Sequence, residues 1–198
     1  MKIIADENIP FVEECFSSLG DAKAVPVGEI TADAVRDADI LLVRSVTKVH
    51  EELLKKSNVK FVGSATSGFE HVDIEFLQTK GIGFSYAPGS NANSVAEYVI
   101  AALLAVAKKH KFELQGKSIG IIGAGRIGSK VAAKAAALGM KVLLNDPPLQ
   151  KETNDPKYLP LEQLCDCDFI TMHTPLTFEG VDKTYHLADE AFFDSFKK

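Results

Sequence analysis

Short apolar runs alternate with stretches of helical periodicity along almost the whole chain. Residues 2–5, 22–25, 40–43, 59–62 and 82–84 read as strands, and residues 10–19, 31–37, 49–56 and 73–79 as helices between them. Several of these runs are apolar on consecutive residues rather than alternate ones. Such runs fit strands covered on both faces by helices. Strand–helix alternation of this kind points to a parallel sheet with right-handed crossovers.

The pattern breaks at Ala87-Pro88-Gly89-Ser90-Asn91-Ala92-Asn93, a turn-rich stretch, and a long Ala-, Val- and Leu-rich helix follows to about His110. Asn93 or Ser94 is expected to cap that helix. Glu97 stands near the cap, where the helix dipole favours a carboxylate. The helix is expected to be buried between two lobes. After Gln115-Gly116-Lys117 a second series begins, with strands over 118–122, 141–145 and 169–172 and helices over 126–138, 161–164 and 188–196. The fold class is therefore α/β, with doubly wound parallel lobes at 1–90 and 117–198 joined by a linker helix and hinge at 91–116. The second lobe reaches only three strands, half of a dinucleotide-binding sheet, and is expected to be incomplete.

Composition narrows the function classes. With 198 residues, 46% of them hydrophobic, the chain can bury a sizeable core. A formal net charge of -5 argues against a broad nucleic-acid or anionic-membrane surface, which needs clustered Lys and Arg. No apolar run reaches the roughly 20 residues of a bilayer span. The start, Met1-Lys2-Ile3-Ile4-Ala5-Asp6, turns acidic too early for a signal peptide. Three cysteines cannot all pair, and Cys165-Asp166-Cys167 lacks partners for a metal site, so reduced thiols in a cytoplasmic protein are expected.

The strongest chemical signal is Gly120-Ile121-Ile122-Gly123-Ala124-Gly125-Arg126-Ile127-Gly128, a G-x-G-x-x-G loop between a strand and a helix. Gly123 suits the tight turn, Gly125 the approach of a pyrophosphate, and Gly128 close packing of helix on strand. Arg126 and Ile127 stand at the helix start, where free N–H groups and the helix dipole attract phosphate. The next strand ends in Asn145-Asp146, eighteen residues beyond Gly128. An acidic side chain there accepts hydrogen bonds from the ribose hydroxyls of a dinucleotide and repels a 2′-phosphate, which favours NAD over NADP. His173-Thr174-Pro175-Leu176 follows the third strand at the same edge. Thr174 either touches the cofactor through its hydroxyl or belongs to a turn fixed by Pro175.

Two loops in the first lobe gather polar groups at strand ends. Arg44-Ser45-Val46-Thr47-Lys48 suits a carboxylate or phosphate, and Gly63-Ser64-Ala65-Thr66-Ser67-Gly68 is small and hydroxylated. Ordinary cap and turn chemistry is the alternative for both. Of the five histidines, His50 and His110 are expected at helix ends in solvent, and His186 in the tail. His71 is expected to cap or pack, and only His173 stands near the cofactor edge. None is assigned as an acid.

Together with Asp6-Glu7-Asn8-Ile9-Pro10, Phe61-Val62-Gly63, His71-Val72-Asp73, Gly81-Ile82-Gly83-Phe84, Ala87-Pro88-Gly89 and Val95-Ala96-Glu97-Tyr98-Val99, these motifs resemble the D-2-hydroxyacid dehydrogenase family over the whole chain. The Arg44–Lys48 stretch and Asp146-Pro147-Pro148 look particular to a branch acting on a small phosphorylated 2-hydroxy acid. The resemblance implies a flavodoxin-like substrate lobe, a Rossmann NAD-binding lobe and a homodimer. It also implies substrate contacts at Ser45 and Thr66, and NAD contacts at Asp146, Thr174 and the Arg126-Ile127 pyrophosphate corner. The family's catalytic Arg, Glu and His are expected downstream of Lys198, so this segment alone should turn over little substrate. Other readings are a relative acting on a phosphoglycerate-like or unphosphorylated acid, or a non-catalytic NAD-sensing module.

Overall fold

Ile3, Ile4, Ala5 and Asp6 are all almost completely buried, and so are Leu41, Leu42 and Val43. Consecutive burial needs cover on both faces of a sheet, and the computed structural model, described over residues 1–196, provides it. The chain divides into two units, Met1–Ser90 and Asn91–Lys198. Residues 197 and 198 of the expected second lobe lie outside the described residues.

In the first unit β1 (Lys2–Asp6), β2 (Asp21–Val25), β3 (Ile40–Val43), β4 (Phe61–Ser64) and β5 (Gly83–Tyr86) form one sheet in the order β2-β1-β3-β4-β5. Every neighbouring pair is parallel. Ile4, Leu41 and Val43 point to one face, under Leu53 and Leu54 of α2 (Glu51–Leu54) and Leu77 of α3 (Ile74–Thr79). Ile3, Ala5 and Leu42 point to the other, against Val12 and Phe16 of α1 (Val12–Phe16). Each fully buried Val, Leu or Ile among these contributes roughly 1.5–3 kcal/mol. The chain leaves β1 to one side and returns on the other as β3. That reversal makes a topological switch point, and ligands bind beyond the carboxyl ends of strands there.

Boundaries differ from the sequence reading at several elements, among them a strand expected over 82–84 that is Gly83–Tyr86 and a helix expected over 49–56 that is Glu51–Leu54. The helix expected over 31–37 is a run of turns. Of that stretch only Val35 is buried, with Ala38 just beyond it, too narrow a stripe to extend the single turn in which Thr31 Oγ1 accepts the Ala34 N–H at 3.3 Å and Thr31 O the Val35 N–H at 3.0 Å. The strand expected over 59–62 is Phe61–Ser64, because its register runs from Ile40↔Phe61 to Val43↔Ser64. The helix expected over 10–19 is confined to Val12–Phe16.

In the second unit α4 (Ala92–His110) leads to β6 (Ser118–Ile122), α5 (Gly128–Ala137), β7 (Lys141–Asn145), α6 (Pro147–Thr153), β8 (Phe169–Met172) and α7 (Glu190–Ser195). Among the described residues its sheet has three parallel strands in the order β7-β6-β8. Ile119 and Ile121 meet Ala96, Leu103 and Ala107 of α4 and Val131 and Ala135 of α5. On the other face Gly120 lets Leu164 and Ile170 close in; a Cβ there would stand 2.6 Å from Ile170 Cδ1. The α4 helix begins at Ala92, so Asn93 and Ser94 lie inside it rather than capping it. Glu97 consequently bonds side chains, Asn93 Nδ2 at 2.7 Å and Lys134 Nζ at 3.7 Å. No helix among the described residues is long and apolar enough to cross a membrane.

Asp168 fastens the start of β8 to β6. Its carboxylate accepts the Ser118 N–H and hydroxyl, both at 2.8 Å, and Lys117 Nζ at 2.9 Å. The Ser118 backbone N–H first, then the Lys117 ammonium, hold this carboxyl far below the usual carboxylate range. A depressed folded-state pKa stabilises above the unfolded value of about 3.9 and loses its effect as the pH falls towards the folded one. Asp168→Asn is expected to lower the melting temperature near pH 7 and to narrow the gap to the value near pH 3. Parallel pH curves for the two proteins would exclude this role.

Candidate functional site

The three strands of the second unit end at one level. Ile122 is in register with Asn145 on one side and Met172 on the other, so Gly123, Asp146 and His173 leave the sheet side by side. Gly123 donates its N–H to Asn145 O at 2.8 Å, and His173 donates its own to Ile122 O at 2.7 Å. Gly123 has φ +87°, and a Cβ on it would stand 2.7 Å from His173 O. At Gly128 a Cβ would stand 1.9 Å from Gly123 O. Side chains are excluded at both positions by the turn itself.

Gly125 is different, because a Cβ there would meet nothing within 4 Å. Its missing side chain keeps open a space outside the protein. That is the space a diphosphate needs. Exposed Arg126 and half-buried Ile127 form a turn, and α5 begins at Gly128, later than the expected 126. Ser129 N–H reaches Gly125 O and Val131 N–H reaches Ile127 O, both at 3.0 Å. The amides of Arg126, Ile127 and Gly128 come before these bonds and are the donors the helix start offers an anion.

Asp146 has two backbone partners. Its Oδ2 accepts the Ala124 N–H at 2.8 Å, and its Oδ1 accepts the Leu149 N–H at 3.0 Å. The side chain thus ties the glycine loop to α6, a helix the sequence reading missed although Asp146-Pro147 carries an N-cap followed by a first-turn proline. Each carboxylate oxygen keeps a further lone pair, enough for two ribose hydroxyl donors.

A cavity of about 490 Å³ opens beside these groups, lined by Gly123, Gly125, Asp146 and Thr174 among others. Arg126, Ile127 and Gly128 stand outside its wall. His173 lines it too, with Nε2 at 2.9 Å from Thr171 Oγ1 and a pKa pulled below the ordinary histidine value by burial. The far wall went unread in the sequence: it is the loop after Pro175, with Thr177, Val181 and Leu187. Thr177 N–H donates to Thr184 Oγ1 at 2.8 Å and Thr184 N–H to Thr177 Oγ1 at 2.9 Å, which pinches that loop shut. Lys151 of α6 meets Asp182 of the loop at 2.6 Å. Two threonines seven residues apart are a faint signal in a sequence.

In the first unit, the register Val43↔Ser64 puts Ser45 and Thr66 two residues beyond adjacent strand ends. Both stand at the carboxyl edge of the sheet, Ser45 exposed and Thr66 half-buried. Thr66 Oγ1 donates to Gly68 O at 3.0 Å and lies 2.6 Å from Ser64 Oγ, which lies 3.0 Å from His71 Nε2. His71 therefore serves neither as a cap nor as mere packing; Asp73 caps α3, accepting the Phe76 N–H at 2.9 Å. Burial lowers the His71 pKa, and the Glu70 carboxylate pulls it back upwards. A groove of about 350 Å³ beside the 44–48 loop takes in Thr47, Lys48 and His50 but neither Ser45 nor Thr66. Thr47 Oγ1 and Asp6 Oδ2 are buried without a hydrogen-bond partner among the described residues.

The arrangement matches known proteins. The chain belongs to the D-isomer specific 2-hydroxyacid dehydrogenase family, whose catalytic-domain model matches residues 4–192. It is similar to erythronate-4-phosphate dehydrogenase of Yersinia enterocolitica, with 48% identity over 191 residues, 96% of this chain and 51% of the relative. Erythronate-4-phosphate dehydrogenase of Klebsiella pneumoniae is 48% identical over 198 residues, 100% of this chain and 52% of that protein. The chain spans about half the length of the curated relatives it matches. NAD+-bound 3-phosphoglycerate dehydrogenase of Entamoeba histolytica superimposes with a TM-score of 0.75 at 29% identity, covering 89% of this chain and 63% of that one.

Proposed function

We propose that this chain is the substrate-binding and cofactor-binding part of an erythronate-4-phosphate dehydrogenase. The full-length enzyme oxidises 4-phospho-D-erythronate at C2 to 2-oxo-3-hydroxy-4-phosphobutanoate, a step towards pyridoxal 5′-phosphate. Residues 1–90 form the substrate lobe, 91–116 the linker helix and hinge, and 117–198 part of the NAD lobe. The protein works as a homodimer in the cytoplasm. One observation carries the reading: Gly123 and Gly128 admit no side chain, Gly125 faces open space, and Asp146 lines the same cavity as Gly123 and Gly125.

The residues fit NAD. When bound, its nicotinamide supplies the acceptor for the hydride that leaves C2. The 126–128 amides hold the diphosphate. Asp146 accepts the ribose hydroxyls and repels a 2′-phosphate, and the Thr174 hydroxyl adds a hydrogen bond. Ser45 and Thr66 orient the substrate. No residue of this chain is assigned the proton-transfer role. Calorimetric titration with NAD and NADP, together with turnover on phosphorylated and unphosphorylated 2-hydroxy acids by the full-length enzyme, tests the reading. Absence of NAD binding, or equal turnover of both acids, would overturn it. Ser45→Ala is expected to raise KM for the phosphorylated acid about fivefold, the worth of one hydrogen bond of about 1 kcal/mol, with kcat little changed. An unaltered KM would retire Ser45 from the substrate site.

A further inference from the structure

The three hydrogen bonds of the Ser64–Thr66–His71 cluster have only one consistent direction. Three contacts must each hold one hydrogen: His71 Nε2 to Ser64 Oγ at 3.0 Å, Ser64 Oγ to Thr66 Oγ1 at 2.6 Å, and Thr66 Oγ1 to Gly68 O at 3.0 Å. A carbonyl only accepts, so the Thr66 proton goes to Gly68 O. The short contact to Ser64 then requires the Ser64 proton. Ser64 has no second proton, so the third hydrogen comes from His71 Nε2. With the proton on Nδ1 instead, three contacts would share two hydrogens. Ser64 is buried, and water cannot readily make up the deficit.

We propose that His71 is a positioning residue. Acting through Ser64, it fixes the half-buried Thr66 hydroxyl as a hydrogen-bond acceptor, so that Thr66 reads a hydroxyl of the substrate and not an anionic oxygen. The inference rests on the reading that Thr66 touches the substrate. Thr66 Oγ1 has two lone pairs, and Ser64 fills one. Its own proton is already given to Gly68 O. What remains is a single vacant lone pair, which repels a carboxylate or phosphate oxygen and welcomes an O–H. Recognition of the anionic groups then falls to other residues, and Thr66 discriminates in favour of a hydroxylated acid.

The test uses the full-length enzyme. Nitrogen-15 NMR of the imidazole near neutral pH should find His71 neutral, with its proton on Nε2 and a bare Nδ1. The opposite tautomer would overturn the proposal. In kinetics, Thr66→Val is expected to raise KM about tenfold for the hydroxylated substrate, while an analogue lacking the recognised hydroxyl binds both proteins equally. His71→Leu should raise KM in the same sense by several-fold with kcat little altered. His71→Gln, whose amide can still donate, should restore KM to within about twofold. Equal damage from Leu and Gln would mean that His71 only fills space, and the proposal would fall alone. A Thr66→Val enzyme with unchanged KM would remove Thr66 from the substrate site, and the reading beneath the proposal would fall with it.

Discussion

Gly128→Ala is expected to lower the melting temperature by roughly 6–12 °C and to abolish measurable NAD binding. The added Cβ would stand 1.9 Å from Gly123 O, a backbone atom already fixed by the turn. Neither side of that contact can yield without moving the start of α5 away from β6. Overpacking of this kind costs about 3 kcal/mol or more, and for a chain of this size each kcal/mol is worth about 2–4 °C. Gly125→Ala provides the contrast. Its Cβ would enter open space, so stability should stay within about 2 °C while NAD affinity falls at least tenfold. Thermal melts and cofactor titrations on the two variants decide the matter. If Gly125→Ala bound NAD normally, the diphosphate would not lie against this loop.

Asp146→Ala should have the second-largest effect, and it should act twice. Loss of two hydrogen bonds from ribose to a charged acceptor, about 1.5 kcal/mol each at the low end, weakens NAD by roughly 150-fold or more. NADP should lose less, because the repulsion of its 2′-phosphate disappears as well. Separately, the Leu149 and Ala124 amides lose their acceptor, so the start of α6 and the glycine loop loosen. A lost cap of about 1 kcal/mol corresponds to about 2–4 °C in melting temperature. Unchanged affinity for both cofactors would remove Asp146 from the ribose site, whatever happened to stability.

The strands at 40–43, 118–122, 141–145 and 169–172 were readable to the residue. They are short apolar runs closed by polar or turn-forming residues, and in 40–43 and 118–122 burial on both faces leaves the sequence little freedom. Helix limits were less legible. Residues 31–37 have helical spacing but only two buried apolar positions, Val35 and Ala38, within or beside them, and tertiary cover decides such cases. Around Asp146 two signals competed: the spacing from Gly128 drew attention to a ribose acceptor and hid the Asp-Pro helix start. The glycine loop was legible because each glycine answers a local backbone demand. The His71–Ser64–Thr66 cluster was not, since it depends on how residues 65–70 fold back across seven positions, which no periodicity encodes.

Because one carboxylate both holds the glycine loop to α6 and faces the cavity, changing cofactor preference cannot be separated from keeping the corner folded. A redesign towards NADP that simply introduces a cationic residue at 146 would strip the Leu149 amide of its acceptor. The workable replacements are those that still present a short side-chain oxygen, such as serine or asparagine, with the positive charge introduced at a neighbouring position on α6 or in the loop beyond Pro175.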